Sequence, residues 1–310
     1  MTSAASDIWV GQEQPTDDTI RDLLALVRSA WAADGVGPLS EQALLRLRHG
    51  SPAATHGIAR TRENGPGNGP ENGIVGYLQL VPDDGTTVAE LVVAPRHRRR
   101  GVGTALGAWA IERLGPARPL RAWAHGDGAG AAGLAAELDF ERSRMLLQMR
   151  RPTGEPLPAV RVPPGVAIRT FRPGVDDEAW VRVNARAFAA HPEQGRLVLA
   201  DLHERMTEPW FDAAGFFVAE RSGPDRLVGF HWTKVHAEPE PIGEVYVVGL
   251  DPDEQGTGLG LALTIRGLAH LAAAGLPAVM LYADETNAGA VRMYERLGFV
   301  RTSVDVTYER

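Results

Sequence analysis

Hydrophobic and polar positions alternate along this chain in two different rhythms. Segments such as "THGIART", "GIVGYLQLV" and "TTVAELVVAP" carry closely spaced apolar and β-branched residues, which predicts strands. "DDTIRDLLALVRSAW" has its apolar residues at helical spacing and predicts a helix. The first half reads as a strand "DIWVG", that helix, those three strands and a helix from Gly101 to Leu114. A strand "LRAWAH", a helix "GAAGLAAEL" and a strand "RSRMLLQMR" follow. The second half repeats the sequence of elements. It runs through "GVAIRTF", the helix "DDEAWVRVNARAFAA", strands "GFFVAE", "LVGFHWTKVH" and "IGEVYVVGL", and a helix after Gly258. A strand "AVMLYAD", a helix "AGAVRMYERL" and a strand "VDVTYE" close it. The expected order is β-α-α-β-β-β-α-β-α-β, twice.

The repeat is visible in single residues. Pro252, Gly258 and Gly260 each stand 157 residues after Pro95, Gly101 and Gly103. "RRPTGEPLPAVRVPPG" (Arg150 to Gly165) is proline-rich, lacks apolar periodicity and reads as a semi-rigid linker. A period this long marks a duplicated domain rather than a solenoid. The expected division is a first domain over 1–150, a linker over 151–165 and a second domain over 166–310. "RENGPGNGPENG" (Arg62 to Gly73) is a polar loop inside the first domain.

Composition narrows the chemistry. The 310 residues are 44% hydrophobic and 23% charged, an ordinary globular balance for two α/β domains. A net charge of −7 gives no support for a nucleic-acid partner. The absence of cysteine excludes disulfides, thiol catalysis and thiolate metal sites. No spaced ligand cluster such as HExxH occurs, so no metal is expected. No segment has the run of apolar residues a membrane span needs, and the N-terminus lacks a signal-peptide pattern. The expectation is a cytoplasmic monomer that does not engage membranes. Lys234 is the single lysine among many arginines, which hints at a specific role.

The strongest chemical signal is "LVVAPRHRRRGVG" (Leu91 to Gly103) and its counterpart "VVGLDPDEQGTGLG" (Val247 to Gly260). Each is a strand that breaks at a proline and re-forms as a helix through glycines. Glycine lets a ligand approach the backbone, and the free N–H groups of the first helical turn favour an anion such as pyrophosphate. Neither copy has the third glycine of a dinucleotide fingerprint or the lysine of a P-loop.

In "RRRGVG" and "QGTGLG", each after the fourth strand, the sequence resembles the GCN5-related N-acetyltransferase (GNAT) family with its [Q/R]-x-x-G-x-[G/A] acyl-CoA signature. The resemblance covers both halves and implies two tandem GNAT-type domains, each with a mixed α/β sheet, and acetyl-CoA as co-substrate. In the first copy it assigns CoA contacts to Leu91, Val92 and Val93 and to Arg99, Arg100, Gly101, Val102, Gly103 and Thr104. In the second it assigns them to Val248, Gly249 and Leu250 and to Gln255, Gly256, Thr257, Gly258, Leu259, Gly260 and Leu261. "NAGAVRMYERLGF" resembles the family's closing motif, which adds Asn287, Ala288, Gly289, Ala290, Val291 and Arg292 and places Tyr294 near the CoA sulfur.

Acetyl transfer to an amine needs a base for the ammonium, donors for the oxyanion and an acid for the leaving thiolate. The second copy has Glu244 at the start of its fourth strand, on the alternation shared with Tyr246 and Val248, and Tyr294 in its last helix. Glu244 also has a structural alternative, since pairing of these strands as a hairpin would set Lys234 against it; Tyr294 has one as a core aromatic. In the first copy the aligned residues are Thr87 for Glu244, Gly128 for Asn287 and Ala135 for Tyr294. The second domain is therefore expected to be catalytic and the first to bind acetyl-CoA without catalysis.

"AFAAHPEQG", "GFHWTKVH" and "GEVYVVGLDP" together resemble a tandem branch of the family that acetylates the cysteinyl amine of a pseudodisaccharide, cysteinyl-glucosaminyl-inositol. That resemblance implies substrate contacts from Asp34, Glu193, Lys234, Glu244 and Tyr282. Other acceptors stay open: a protein N-terminus, a polyamine or an aminoglycoside. So does a non-catalytic acyl-CoA sensor.

Overall fold

A computed structural model describes residues 8–61, 73–115, 118–189, 194–222, 227–237 and 241–310. The chain divides into two compact units, one comprising residues 1–146 with 303–310, the other residues 147–302. The elements of the first half are β1 (Ile8–Gln12), α1 (Asp17–Asp34), α2 (Glu41–His49), β2 (Thr55–Thr61), β3 (Ile74–Asp83), β4 (Thr86–Val93), α3 (Val102–Leu114), β5 (Leu120–Ala124), α4 (Ala129–Glu137) and β6 (Glu141–Pro152). The second half has β7 (Val166–Thr170), α5 (Asp177–Ala187), α6 (Leu199–Met206), β8 (Phe216–Arg221), β9 (Leu227–His236), β10 (Ile242–Leu250), α7 (Leu259–Ala273), β11 (Ala278–Asp284), α8 (Ala288–Arg296) and β12 (Val300–Glu309). The expected α/β order is present in both halves.

Local chemistry explains the elements. Helix α1 starts at Thr16, whose hydroxyl accepts from the Thr19 N–H, carries Asp17 and Asp18 in its first turn, and ends at Gly35 with φ +71°. Its buried residues Leu23, Leu26, Val27 and Ala30 fall on one helical face. They meet Ile58, Tyr77 and Val92 of the sheet in one core layer. On the other sheet face Val102, Leu106 and Ala110 of α3 meet Val75, Leu78 and Ala89. Strands β3 and β9 are buried over most of their length because helices cover both faces. In the second unit Trp180 and Val183 of α5 pack on Phe216, Phe230 and Trp232. Leu259 and Leu263 of α7 pack on Phe217, Ala219 and Val228 opposite.

Each sheet has the same irregularity. β1 to β4 are antiparallel, then β5 pairs parallel to β4 only over Thr87–Ala89. β7 to β10 are antiparallel, then β11 pairs parallel to β10 only over Gly243–Val245. Beyond these residues the fourth strand no longer pairs with its parallel neighbour.

The closing strands depart from a simple repeat. The first unit is closed by the C-terminal residues Ser303–Arg310, with Val306 to Glu309 antiparallel to β5. The second unit takes Leu147–Pro152 of β6 beside β11. Strand β6 also runs on to Pro152, into the stretch read as linker.

Candidate active site

The candidate site of the second unit is built on β10. A bulge between Val245 and Val247 adds one residue, Tyr246, against β9. Before the bulge Glu244 lies directly opposite Lys234; after it Val247 lies opposite Trp232 and Val248 opposite His231. Tyr246 and Val247 both pack on the α5 side with Trp232. His231 instead donates from Nδ1 to the Leu263 carbonyl of α7, 2.8 Å away, which puts its partner Val248 on the α7 side. The expected shared alternation of Glu244, Tyr246 and Val248 is thus corrected: one inserted residue inverts the facing of everything after it.

The bulge also changes the comparison with the first unit. Gly76 pairs with Val93 as Gly229 pairs with Leu250, and β4 has no bulge against β3. Counting back through the pairs sets Glu90 against Val247 and Val88, not Thr87, against Glu244. The first unit still has no carboxylate at that place.

Glu244 is buried, 7% exposed. Its Oε2 accepts from His236 Nε2 at 2.7 Å, and its Oε1 has no hydrogen-bond partner among the described residues. Burial raises the pKa of this carboxyl, but the His236 hydrogen bond and the Lys234 charge outweigh it and bring it below the usual carboxylate value. Lys234, also buried, places Nζ 4.5 Å from the centre of the Trp210 ring and 5.3 Å from that of Tyr246. Arg205 of α6 donates to the Tyr246 hydroxyl at 3.1 Å. The site is a carboxylate, an imidazole and an ammonium around two aromatic faces, a set suited to holding a cationic amine with polar hydroxyls.

Tyr294 sits on α8, 7% exposed, with its ring edge-on to Phe299 at 5.7 Å. Burial pushes its pKa up to about 12, so the phenol keeps its proton at neutral pH. Its hydroxyl has no hydrogen-bond partner among the described residues. Asn287 caps α8 by accepting from the Ala290 N–H at 3.1 Å, whereas Gly128 gives α4 no side-chain cap.

The glycine turn takes the same form in both units. Gly101 (φ +83°) and Gly258 (φ +89°) are left-handed N-caps of α3 and α7, and neither helix has a side-chain cap. Two residues earlier Arg99 (φ +59°) and Gly256 (φ +77°) are left-handed as well. Such a turn aims successive N–H groups into one concavity, an anion-binding arrangement. Around the second turn, acidic side chains are neutralised. Arg186 pairs with Asp251 at 2.7 Å and with Asp253 at 3.3 Å, and Arg221 pairs with Glu254.

The other expected contacts have partners of their own or lie outside the described residues. Asp34 belongs to the first unit and receives two hydrogen bonds from Arg98, at 2.6 and 2.7 Å. Tyr282, on β11, accepts from Gln148 Nε2 at 3.1 Å. Glu193, like His191, lies outside the described residues. Sequence reading missed His236, although Lys234 and His236 are two apart on a strand and so share a face. It missed Trp210, Arg186 and Arg221, which no local pattern singles out.

Residues 183–299 match the "Acetyltransferase (GNAT) family" and residues 63–141 match an "Acetyltransferase (GNAT) domain". Proteins named mycothiol acetyltransferase are similar over nearly the whole length. The one from Thermomonospora curvata is 56% identical, covering 95% of this chain and 94% of its own. That from Thermobispora bispora is 53% identical, covering 96% and 98%. Among solved structures, a tandem GNAT protein from the clavulanic acid biosynthesis pathway is 20% identical with a TM-score of 0.73, covering 98% of both chains. A GCN5-related N-acetyltransferase from Sphaerobacter thermophilus is 22% identical with a TM-score of 0.69, covering 98% and 95%. These two likenesses bear on the fold.

Proposed function

The chain belongs to the GNAT acetyltransferases and, within them, to the mycothiol acetyltransferases, and from that premise we propose that it transfers the acetyl group of acetyl-CoA to the cysteinyl amine of cysteinyl-glucosaminyl-inositol, giving mycothiol. The single observation that carries this reading is the placement of Glu244: a buried carboxylate with Oε1 open, beside Lys234, where β10 parts from β11.

The steps follow from that placement. The pantetheine arm lies along β10 beyond Val245, where β11 no longer pairs with it, and the pyrophosphate rests on the turn from Gln255 to Leu261. The incoming ammonium gives a proton to Glu244, directly or through one water. The amine nitrogen attacks the thioester carbonyl, and a backbone N–H among Val248 to Leu250 holds the oxyanion. The carbon–sulfur bond breaks, CoA leaves as its thiolate, the nitrogen gives its second proton to solvent and the amide forms. The Tyr294 hydroxyl donates to the departing sulfur. A phenol near 12 is a weaker acid than a thiol, reference about 8.5, so its contribution is a hydrogen bond to developing thiolate charge rather than early proton release. Lys234 and Tyr282 contact the hydroxyl-rich acceptor.

The first unit binds acetyl-CoA on the turn from Arg99 to Thr104 without transferring it. Val88 stands where a base is needed, and Ala135 aligns with the phenol. The test is an acceptor assay. Purified chain, acetyl-CoA and cysteinyl-glucosaminyl-inositol should give an N-acetylated product by mass spectrometry. Acetylation of a polyamine, aminoglycoside or peptide amine in its place would redirect the acceptor assignment, and acetyl-CoA binding with no turnover would make the chain a sensor.

A further inference from the structure

His236 ends β9 two residues beyond Lys234, on the same face, and its side chain is 25% exposed. Its Nε2 meets Glu244 Oε2 at 2.7 Å, and Oε1 has no hydrogen-bond partner among the described residues. We propose that His236 is the positioning residue of this site: it fixes the Glu244 carboxylate and, when it takes up a proton itself, it suppresses that carboxylate's capacity to accept one from the substrate. This rests on the reading of Glu244 as the base.

A neutral imidazole with its proton on Nε2 donates a hydrogen bond and fixes the carboxylate without adding charge. An imidazolium makes the same bond and adds a full positive charge in a buried setting, where the carboxylate is then held in its ionised form and stops acting as a proton acceptor. Imidazole changes charge near neutral pH, and the exposed part of the ring gives solvent protons a route to it. No covalent step is involved; one proton moves from solvent to the imidazole and returns.

The surrounding charges leave this role to His236. Lys234, across the strand pair, faces the same carboxylate and lowers its pKa through its charge. Arg205 on α6 is turned to the Tyr246 hydroxyl, and Glu208, just after α6, is buried. β11 presents Met280 in register with Glu244. Among these groups His236 is the one in direct hydrogen-bond contact with Glu244.

The experiment is the pH dependence of kcat/KM for the parent, His236→Gln and His236→Phe with one acceptor, so that substrate ionisation is common to all. Glutamine keeps a donor and does not titrate. Between about pH 7.5 and 5.5 the slope of log kcat/KM should be lower by about one in His236→Gln than in the parent, one ionisation having been removed. His236→Phe should lower kcat about 10- to 100-fold and leave the acetyl-CoA KM unchanged. Superimposable profiles for parent and His236→Gln overturn the proposal, as does a uniform loss at every pH in both variants, the signature of a merely structural residue. Glu244→Gln separates the two readings. A loss below about tenfold in kcat removes the base assignment itself; a larger loss with unchanged His236→Gln slopes removes only the role of His236.

Discussion

Replacing Tyr294 by Phe isolates one oxygen atom. The ring is buried and packs edge-on to Phe299 at 5.7 Å, so phenylalanine fills the same volume. The hydroxyl has no partner among the described residues, so its removal orphans no protein group. Stability should then change by no more than about 0.5 kcal/mol. Catalysis should suffer much more. A hydrogen bond to a charged group contributes about 1.5–3 kcal/mol, and a thiolate departing with nothing to meet it loses that in the transition state. At about 1.36 kcal/mol per decade this is a loss of about 10- to 150-fold in the chemical step. The assay is a single turnover with enzyme in excess over acetyl-CoA, quenched at intervals, with acetylated acceptor quantified by mass spectrometry. Thermal unfolding of both proteins accompanies it. A chemical step within about twofold of the parent, with an unchanged unfolding midpoint, refutes the assignment of Tyr294 to the leaving sulfur. A midpoint lowered by several degrees refutes the premise that the hydroxyl serves no structural bond.

Arg99 holds a left-handed backbone conformation at φ +59°, which costs a non-glycine residue about 1–2 kcal/mol. Arg99→Gly should therefore raise the unfolding midpoint while weakening acetyl-CoA binding at the first unit, measured by calorimetry; a lowered midpoint would show the strain argument to be wrong. His125 is buried between Asp305 at 2.9 Å and Glu90 at 3.3 Å; burial lowers its pKa, but the two carboxylates prevail and lift it to about 10. A raised imidazole stabilises the fold fully below its unfolded value of about 6.5 and loses that contribution as pH climbs through about 10. Melting curves from pH 6 to 10 should thus fall more steeply for the parent than for His125→Gln, and parallel curves would contradict the assignment. Lys234→Met keeps the stem over Trp210 and removes the ammonium. It should raise the acceptor KM about 10-fold or more with a smaller change in kcat, and an unchanged KM would take Lys234 out of the acceptor pocket.

Much of this molecule is legible from local pattern because its determinants are local. Helix α1 declares its cap, its acidic first turn and its buried stripe within twenty residues or so of sequence. The glycine turns are legible because left-handed backbone strongly favours glycine. Even there the sequence is ambiguous at Arg99, where an arginine takes the conformation that Gly256 takes in the other copy. What was not legible depends on pairing at a distance. The bulge at Tyr246 exists only relative to β9, and no residue type announces it. The pairing of Lys234 with Glu244 was legible from their near-symmetric places about the turn, but the hydrogen bond from His236, two residues on, needed the register itself. Arg186 and Arg221 reach the acidic turn from α5 and β8, about thirty to sixty-five residues away in sequence. The closing strands escaped prediction because β6 and β12 have the same pattern, and pattern does not choose a neighbour.

The divergence of the two copies comes down to how each uses the α1/α2 or α5/α6 face of its fourth strand. In the second unit that face carries Glu244 before the bulge and Val247 after it, so a carboxylate stands there beside a cation and aromatic rings. In the first unit the unbulged strand puts Val88 at the first of these places and Glu90 at the second. Glu90 is not a free base. Its two oxygens accept from the Ser40 hydroxyl and N–H, and His125 contacts it from the other side. Burial raises its pKa, yet those hydrogen bonds and the His125 charge hold it below the usual carboxylate value. Asp305 completes the cluster by accepting from the Gly126 N–H. A buried carboxylate with this many donors gains nothing by accepting another proton at neutral pH. The first copy thus retains an acidic residue one pair further along the strand, but it is committed to binding α2, the end of β5 and the C-terminal strand together. Glu244 in the second copy is in the opposite condition: one oxygen is held by His236 and the other has no hydrogen-bond partner among the described residues.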